Sequence, residues 1–313
     1  MAQHLLFLLL GSVGLYFGAE WLVRGAGGLA RAMGVSPLAV GLTVVAYGTS
    51  MPELVVSTVA AVGGKSALAL GNVVGSNVAN IGLILGLTAI IAPPQVQAGL
   101  MKRELPIMLG STAALPLALW DGSIGRVEGI LLVLGAIWFT RVTLRAVNPE
   151  GAPRHSESEP PPKESRLALV AFLVMGLSVL LGGGKLFVDG AVGLARTLGM
   201  SERLVGLTVV AVGTSLPELA ASLVAALRGQ SAIAVGNVLG SNIFNVLLIL
   251  GVAATAHPVA VPLSSVRLDL IALGAMSIVA AISMRTSRKI QRSEGALLVA
   301  GYAAFVLALV LSR

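Results

Sequence analysis

The sequence predicts an all-α membrane protein with about ten transmembrane helices in two inverted five-helix repeats. Three observations support this fold class. Hydrophobic residues make up 56% of the 313 residues and charged residues only 11%, whereas soluble domains carry about a quarter charged residues. The mean hydropathy is +0.93. The apolar runs are long, and much of the first half of the chain occurs again in the second half.

Helices that cross about 30 Å of hydrocarbon need roughly 20 apolar residues. The first of the apolar runs lacks a basic leading region and a cleavage site, so we interpret it as a retained span and not as a signal peptide. Pro37, Pro93 and Pro94 are expected to mark helix boundaries. The predicted spans are 4–23, 37–62, 67–91, 100–120, 125–145, 166–188, 202–227, 232–255, 265–285 and 291–312.

One long polar segment divides the chain. Residues 146–165 are rich in Pro, Ser and charged residues, a composition that cannot build a hydrophobic core. We interpret this segment as a solvated cytoplasmic linker. It separates a first repeat, residues 1–145, from a second repeat, residues 166–313.

Two sequence blocks occur twice at the same spacing. The first is Gly41-Leu-Thr-Val-Val-Ala-Tyr-Gly-Thr-Ser-Met-Pro-Glu53, which returns as Gly206-Leu-Thr-Val-Val-Ala-Val-Gly-Thr-Ser-Leu-Pro-Glu218. The second is Gly71-Asn-Val-Val-Gly-Ser-Asn-Val-Ala-Asn80, which returns as Gly236-Asn-Val-Leu-Gly-Ser-Asn-Ile-Phe-Asn245. Both blocks are shifted by 165 residues without a gap, which indicates an internal duplication.

The charge distribution predicts the orientation in the membrane. Five spans is an odd number, so the second repeat enters from the opposite side, a layout found in many secondary transporters. At the span ends and loops on the side of the membrane that would hold the linker, Lys and Arg are about twice as frequent as on the opposite side. Because cytoplasmic loops carry the excess of basic residues, we expect a multi-pass protein of the plasma or inner membrane with both termini outside.

A carboxylate within a membrane span is costly and indicates function. Glu53 and Glu218 occupy matching positions in the two repeats, so we expect them to face each other near the bilayer midplane. Pro52 and Pro217 remove backbone donors and are expected to free carbonyl oxygens in the preceding turn. The neighbouring side chains offer further oxygens, from the hydroxyls of Thr49, Ser50, Thr214, Ser215, Ser76 and Ser241 and from the amides of Asn77, Asn80, Asn242 and Asn245.

This set of carboxylate, amide, hydroxyl and carbonyl oxygens is what hard cations require. Ca²⁺ accepts six to eight such oxygens in flexible geometry, and two carboxylates neutralise one divalent ion. The same oxygens could hold Na⁺ instead, or the carboxylates could take protons. Competition for one site is the physical basis of exchange.

The repeated Gly-Thr-Ser-x-Pro-Glu and Gly-Asn-Val-x-Gly-Ser-Asn-x-x-Asn blocks resemble the two alpha-repeats of the calcium/cation antiporter superfamily, specifically the prokaryotic sodium/calcium exchangers. The resemblance implies exchange of Na⁺ for Ca²⁺ by alternating access. It implies metal ligands at Glu53, Glu218, Asn80, Asn245, Thr49, Ser50, Thr214, Ser215, Ser76 and Ser241, and at the backbone carbonyls of Ala46 and Ala211. Some relatives carry Asp at the position of Asn245, and those that depend on potassium need an acidic residue there, so Asn245 argues against potassium dependence.

Other polar groups at matching places in the two repeats have simpler interpretations. Asn72 and Asn237 are expected to form hydrogen bonds between helices and not to bind ions. Two pairs with i, i+4 spacing, Glu20 with Arg24 and Lys185 with Asp189, are predicted to form local ion pairs.

Three other functions compete with Na⁺/Ca²⁺ antiport. An H⁺/Ca²⁺ antiporter, or one for another divalent cation, would keep the same fold. A cation channel can also line its pore with carboxylates. An intramembrane hydrolase is disfavoured because the sequence offers no Ser/His or Cys/His pairing, so we expect no enzyme. We expect Ca²⁺, Na⁺ and the lipid bilayer as partners, with no cofactor and no nucleic acid; the working expectation is a monomer.

Overall fold

A computed structural model describes residues 1–145, 164–200 and 211–311. The linker, apart from its last two residues, and the first part of the predicted span 202–227 lie outside this description. The helices and strands are, in order, α1 (Ala2–Met33), α2 (Pro37–Thr49), α3 (Met51–Val62), α4 (Ser66–Ile91), α5 (Ala98–Lys102), α6 (Glu104–Ala118), β1 (Ser123–Ile124), α7 (Arg126–Arg145), α8 (Arg166–Thr197), α9 (Ala211–Gly213), α10 (Leu216–Leu227), α11 (Ser231–Ala256), β2 (Val259–Ala260), α12 (Arg267–Ser287) and α13 (Arg292–Leu311).

The protein is helical apart from one minimal sheet. The strands β1 and β2 pair antiparallel over two residues each. In the described part of the chain, seven helices are long and apolar enough to cross a membrane, and the bent pair α2 and α3 makes an eighth. The helix α6 is only 15 residues long, because the predicted span 100–120 is interrupted at Arg103. The predicted count of ten spans in two inverted repeats therefore remains a prediction.

The duplicated sequence folds into duplicated elements. The helix α10 begins and ends 165 residues after α3, and α11 begins and ends 165 residues after α4. Both α4 and α11 contain a π-helical turn at the same place, Asn80–Leu85 and Asn245–Leu250. A further π-helical turn, Gly41–Val45, lies in α2. Such π-helical turns are rare in proteins overall, and many of those that occur lie at functional sites.

The predicted helix boundaries at prolines are confirmed. Pro37 is the first residue of α2, and the Ser36 side chain caps this helix by accepting a hydrogen bond from the Ala39 N–H. Proline is well suited to this first position because its missing N–H would have no helical partner there. Pro93 and Pro94 follow the end of α4 at Ile91.

The two longest helices, α1 and α8, pack closely along their lengths. At their crossing, a Cβ added at Gly183 would lie 2.7 Å from the backbone of Gly14. Close approach of backbones at small residues is the usual way in which helices associate in lipid. Each helix has 32 residues and is therefore about 48 Å long. Both extend beyond the predicted spans 4–23 and 166–188, because the charged residues at which those spans were ended are accommodated within the helices.

The ion pairs explain this accommodation and correct one prediction. The predicted pair of Lys185 and Asp189 is confirmed at 2.7 Å. The predicted pair of Glu20 and Arg24 is wrong. Glu20 instead pairs with Arg228, whose Nε lies 3.0 Å from Oε2; Arg24 pairs with Glu164 at 2.6 Å. Residues four apart on a helix can meet, but here each finds a partner on another segment.

The core lies between the duplicated helices. Buried Leu, Ile, Val and Ala side chains of α4 and α11 pack against those of α2, α3, α6 and α12. Large apolar side chains such as Leu9, Val59 and Leu131 point outward, where lipid would cover them. The helices α4 and α11 are the most buried of the long apolar helices, and they carry the candidate site.

Candidate cation-binding site

The two glutamates lie at the breaks between helices. Glu53 is in the first turn of α3 and Glu218 is in the first turn of α10, and each is only 1% exposed. The chain leaves the helical conformation at Ser50 and at Ser215, and the axes of α2 and α3 differ by 49°. A carboxylate in the first turn also benefits from the positive end of the helix dipole.

Residues from the two repeats meet at these breaks. The Ser50 hydroxyl lies 3.0 Å from Oε1 of Glu218 and 3.0 Å from the hydroxyl of Ser241. Ser50 is three residues before Glu53, so this contact brings the carboxylate of the second repeat to the helix break of the first. The structure thus brings the first copy of the Thr-Ser-x-Pro-Glu block against the second.

The last asparagine in each copy of the second block is also buried. Asn80 and Asn245 are each the first residue of a π-helical turn and are 1% exposed. The Asn245 amide donates a hydrogen bond to Oδ1 of Asn77 at 2.9 Å. Asn77 in turn donates to the backbone carbonyl of Asn242 at 3.3 Å. Asn77 therefore connects the two copies through both its amide nitrogen and its amide oxygen.

Several oxygen atoms in this region are buried without any hydrogen-bond partner among the described residues. A buried acceptor without a partner costs about 1–3 kcal/mol, and six such oxygens on helices that contact one another indicate a site that binds a ligand. They are Oε2 of Glu53, Oε2 of Glu218, Oγ of Ser215, and Oδ1 of Asn80, Asn242 and Asn245. Five of the six belong to predicted site residues.

The remaining predicted site residues make other contacts. Ser76 is buried at 5% exposed. The Thr49 hydroxyl lies 3.2 Å from Oδ1 of Asn237. The Ala46 carbonyl accepts a hydrogen bond from the Ser50 N–H at 3.1 Å, so in this conformation it closes the last turn of α2.

The second repeat differs slightly at the matching positions. The Ser215 N–H donates to the Val212 carbonyl at 3.1 Å, one residue closer than in the first repeat. Thr214 is partly exposed. Ala211 is the first described residue of α9.

A second pair of asparagines holds the broken helices in place, as predicted. Asn72 donates to the Glu53 carbonyl at 3.3 Å and to the Ser57 hydroxyl at 2.9 Å. Asn237 makes the same two contacts at the same distances, with the Glu218 carbonyl and Ser222. Both copies of the repeat contain these two serines, whose role in holding the asparagines is evident only from the structure.

Comparison with known proteins identifies the family. The protein family described as "Sodium/calcium exchanger protein" matches residues 3–144 and 168–311. The chain belongs to the sodium/calcium exchanger family. Among its relatives, the sodium/calcium exchanger MaX1 of Methanosarcina acetivorans is 34% identical over 98% of both chains. The putative antiporter CaxA of Alkalimonas amylolytica is 38% identical over 82% of both chains.

Solved structures of this family have the same fold. The sodium-calcium exchanger NCX_Mj soaked with zero Na⁺ and Ca²⁺ superposes with a TM-score of 0.86 at 33% identity, covering 98% of this chain and 99% of that chain. The same exchanger soaked with 10 mM Na⁺ and zero Ca²⁺ gives a TM-score of 0.83 and covers 100% of this chain. The chain is therefore a helical membrane protein of a family of cation antiporters, as the repeated blocks predicted.

Proposed function

We propose that this protein exchanges Na⁺ for Ca²⁺ across the membrane by alternating access at the site between the two helix breaks. The observation that carries the proposal is the cluster of buried oxygens without partners, which includes one carboxylate oxygen from each repeat. The described ion pairs involve other acidic residues. A bound cation would supply the positive partner that the carboxylates of Glu53 and Glu218 do not have among the described residues.

The proposed Ca²⁺ ligands are centred on Glu53 and Glu218. Both carboxylates together neutralise one divalent ion, which offsets much of the cost of holding it in a medium of low dielectric constant. The amide oxygens of Asn80 and Asn245 complete the shell from opposite repeats, because their Oδ1 atoms have no other partner.

The same oxygens support Na⁺ binding. Without Ca²⁺, smaller groups of ligands can each hold a monovalent ion, and these groups would share the carboxylates. We propose that the further ligands are Thr49, Ser50, Thr214, Ser215, Ser76, Ser241 and the carbonyls of Ala46 and Ala211. For Ala46 this requires a rearrangement of the last turn of α2, since its carbonyl now accepts the Ser50 N–H.

A second candidate is an H⁺/Ca²⁺ antiporter of the same fold. The specific observation in its favour is that one oxygen of each site glutamate has no partner, and a carboxylate placed in this way can bind a proton as well as a cation. The relatives named as sodium/calcium exchangers favour Na⁺.

Flux measurements in reconstituted liposomes distinguish the two. Ca²⁺ uptake is measured with an imposed Na⁺ gradient while a protonophore collapses the proton gradient, and then with a proton gradient in the absence of Na⁺. We expect uptake in the first condition. Uptake only in the second condition would replace Na⁺ by H⁺ as the coupling ion.

Counterflow tests the alternating-access step. Liposomes are loaded with labelled Ca²⁺, and unlabelled Ca²⁺ is added outside. When the empty site of a carrier returns slowly to the inner side, external Ca²⁺ speeds this return by binding to the site. We therefore expect faster loss of labelled Ca²⁺ from the liposomes. Loss of label that does not respond to external Ca²⁺, at any Na⁺ concentration, would contradict a carrier and favour a channel.

A further inference from the structure

An open cavity of about 500 Å³ lies at the surface of the helix bundle, and its lining includes none of the proposed cation ligands. It is bounded by α2, α7 and α11. Its walls carry large apolar side chains, among them Val44, Ile137, Leu144 and Leu248. Val44 is 42% exposed and Ile137 is 40% exposed. In a membrane protein, such a surface faces the acyl chains of lipids.

The hydroxyl groups in the cavity are satisfied within their own helices. The Thr43 hydroxyl donates to the Ala39 carbonyl at 2.6 Å, and the Thr140 hydroxyl donates to the Ala136 carbonyl at 2.9 Å. Neither hydroxyl therefore needs a partner in the cavity. The lining is largely apolar, and its remaining polar groups are the Tyr47 hydroxyl and the Arg141 guanidinium.

Arg141 is exposed and forms no ion pair with any residue in the described ranges. It lies one turn before the end of α7 at Arg145, which is four residues further on and therefore on the same face of the helix. The helix α7 has 20 residues, about 30 Å, and so Arg141 lies near one membrane surface and Arg126 at the other. A flexible guanidinium here can reach the lipid head groups.

We propose that this cavity binds an anionic phospholipid, with the phosphate of its head group on Arg141 and one acyl chain along the groove between α2 and α7. Charge complementarity identifies the head group, since the charged group of the lining, Arg141, is a cation without an ion-pair partner among the described residues. The apolar walls fit an acyl chain. Basic positions between transmembrane helices commonly bind anionic lipids.

The inner end of the cavity is close to the candidate cation site. There the rings of Tyr47 and Phe244 pack edge to face with 6.3 Å between centroids. A narrower cleft with the same two side chains continues to Ser50, whose hydroxyl lies 3.0 Å from Glu218. A bound acyl chain would therefore pack against the residues that separate the bilayer from this site.

Native mass spectrometry of the full chain tests the lipid site without requiring transport. The purified protein is incubated with equal amounts of phosphatidylglycerol and phosphatidylcholine, and the lipids retained are identified. We expect one retained phosphatidylglycerol, preferred by about fivefold, because one basic residue near the surface contributes about that factor. Arg141→Gln should abolish the preference, and Arg141→Lys should keep most of it.

Two further variants make the result specific to this cavity. Arg126→Gln removes one arginine from the other end of the same helix and should leave the preference unchanged. Ile137→Trp fills the groove and should reduce retention of both lipids. Equal retention of the two lipids by the wild type, or an unchanged preference in Arg141→Gln, would overturn the proposal. Melting temperatures of all variants show that each is folded.

Discussion

Glu53 and Glu218 are buried carboxylates, each with one oxygen that has no hydrogen-bond partner among the described residues. In a protein that held no cation, such groups would be costly, because a buried polar group without a partner loses its hydration and gains nothing. In the proposed exchanger, the transported ion provides the missing contact. The two residues should therefore be required for transport and dispensable for insertion into the membrane.

Glu53→Gln or Glu218→Gln should each reduce Ca²⁺ uptake at least about tenfold, since loss of one ionic contact of 1.4 kcal/mol or more has this effect. Na⁺-driven uptake into liposomes is the measurement. Glu128→Gln is the matched control, because Glu128 is an exposed acid on α7. Near-normal uptake in both site variants would remove the proposed site.

Asn245→Asp should change ion preference. The Asn245 amide donates to Asn77, and an aspartate would lose this donor while adding a third carboxylate to the site. We expect stronger competition by divalent cations and weaker activation by Na⁺, measured as the Ca²⁺ and Na⁺ concentrations for half-maximal uptake. If both constants are unchanged in Asn245→Asp, this side chain does not face the ions.

At the residue scale, the sequence was informative where the duplication was strict. Glu53, Asn80 and their copies could be predicted because each is a polar residue in an apolar run at a repeated position. The Ala46 carbonyl could not be assessed in this way, because its partner depends on the exact course of the backbone at the break. The pairing of Glu20 with Arg228 was missed for the same reason, since it joins segments that are distant in sequence.

The contact between helices α1 and α8 is the most extensive between any two elements of the described structure. Gly14 and Gly183 let their backbones touch, and neighbouring contacts continue above and below this crossing. The sequence showed abundant glycine but did not show which faces meet. The predicted spans were also shorter than both helices, because a charged residue ends an apolar run without ending a helix.

Adjacent glycines of α8 allow a matched test of this packing. A Cβ at Gly183 would collide with the backbone of α1, whereas nothing lies within 4 Å of a Cβ at Gly182. Overpacking typically costs about 1–3 kcal/mol, so Gly183→Leu should lower the melting temperature in detergent by several degrees. Gly182→Leu should stay close to the wild type. Equal melting temperatures for the two variants would contradict the close crossing of α1 and α8.

For the whole molecule, family membership and fold follow from the comparisons, whereas orientation rests on the distribution of Lys and Arg. The absence of cysteine from the sequence makes this distribution testable, because a single introduced thiol is the only reactive one. The Arg24 guanidinium, which donates to the Glu164 carboxylate, holds the pKa of Glu164 below its ordinary value. The linker therefore ends at a fixed point on α1, on the side that we expect to be cytoplasmic.

Ala2→Cys, Ser156→Cys and Ser312→Cys place one thiol each at the amino terminus, in the linker and near the carboxyl terminus. In right-side-out vesicles, a membrane-impermeant maleimide should label the two terminal cysteines and spare Ser156→Cys. Opening the vesicles with detergent should make all three reactive. Labelling of the linker cysteine in sealed vesicles would reverse the proposed orientation.

The hydrogen bonds at the centre of the molecule also say something about its origin. Ser50 contacts Glu218, Thr49 contacts Asn237, and Asn77 contacts both Asn242 and Asn245. Each repeat thus supplies the partners that the other repeat needs. A single copy alone would leave these polar groups facing hydrocarbon, so an ancestral protein of half this length could have been stable only as a dimer of two such chains, and fusion of its genes would have made that association permanent.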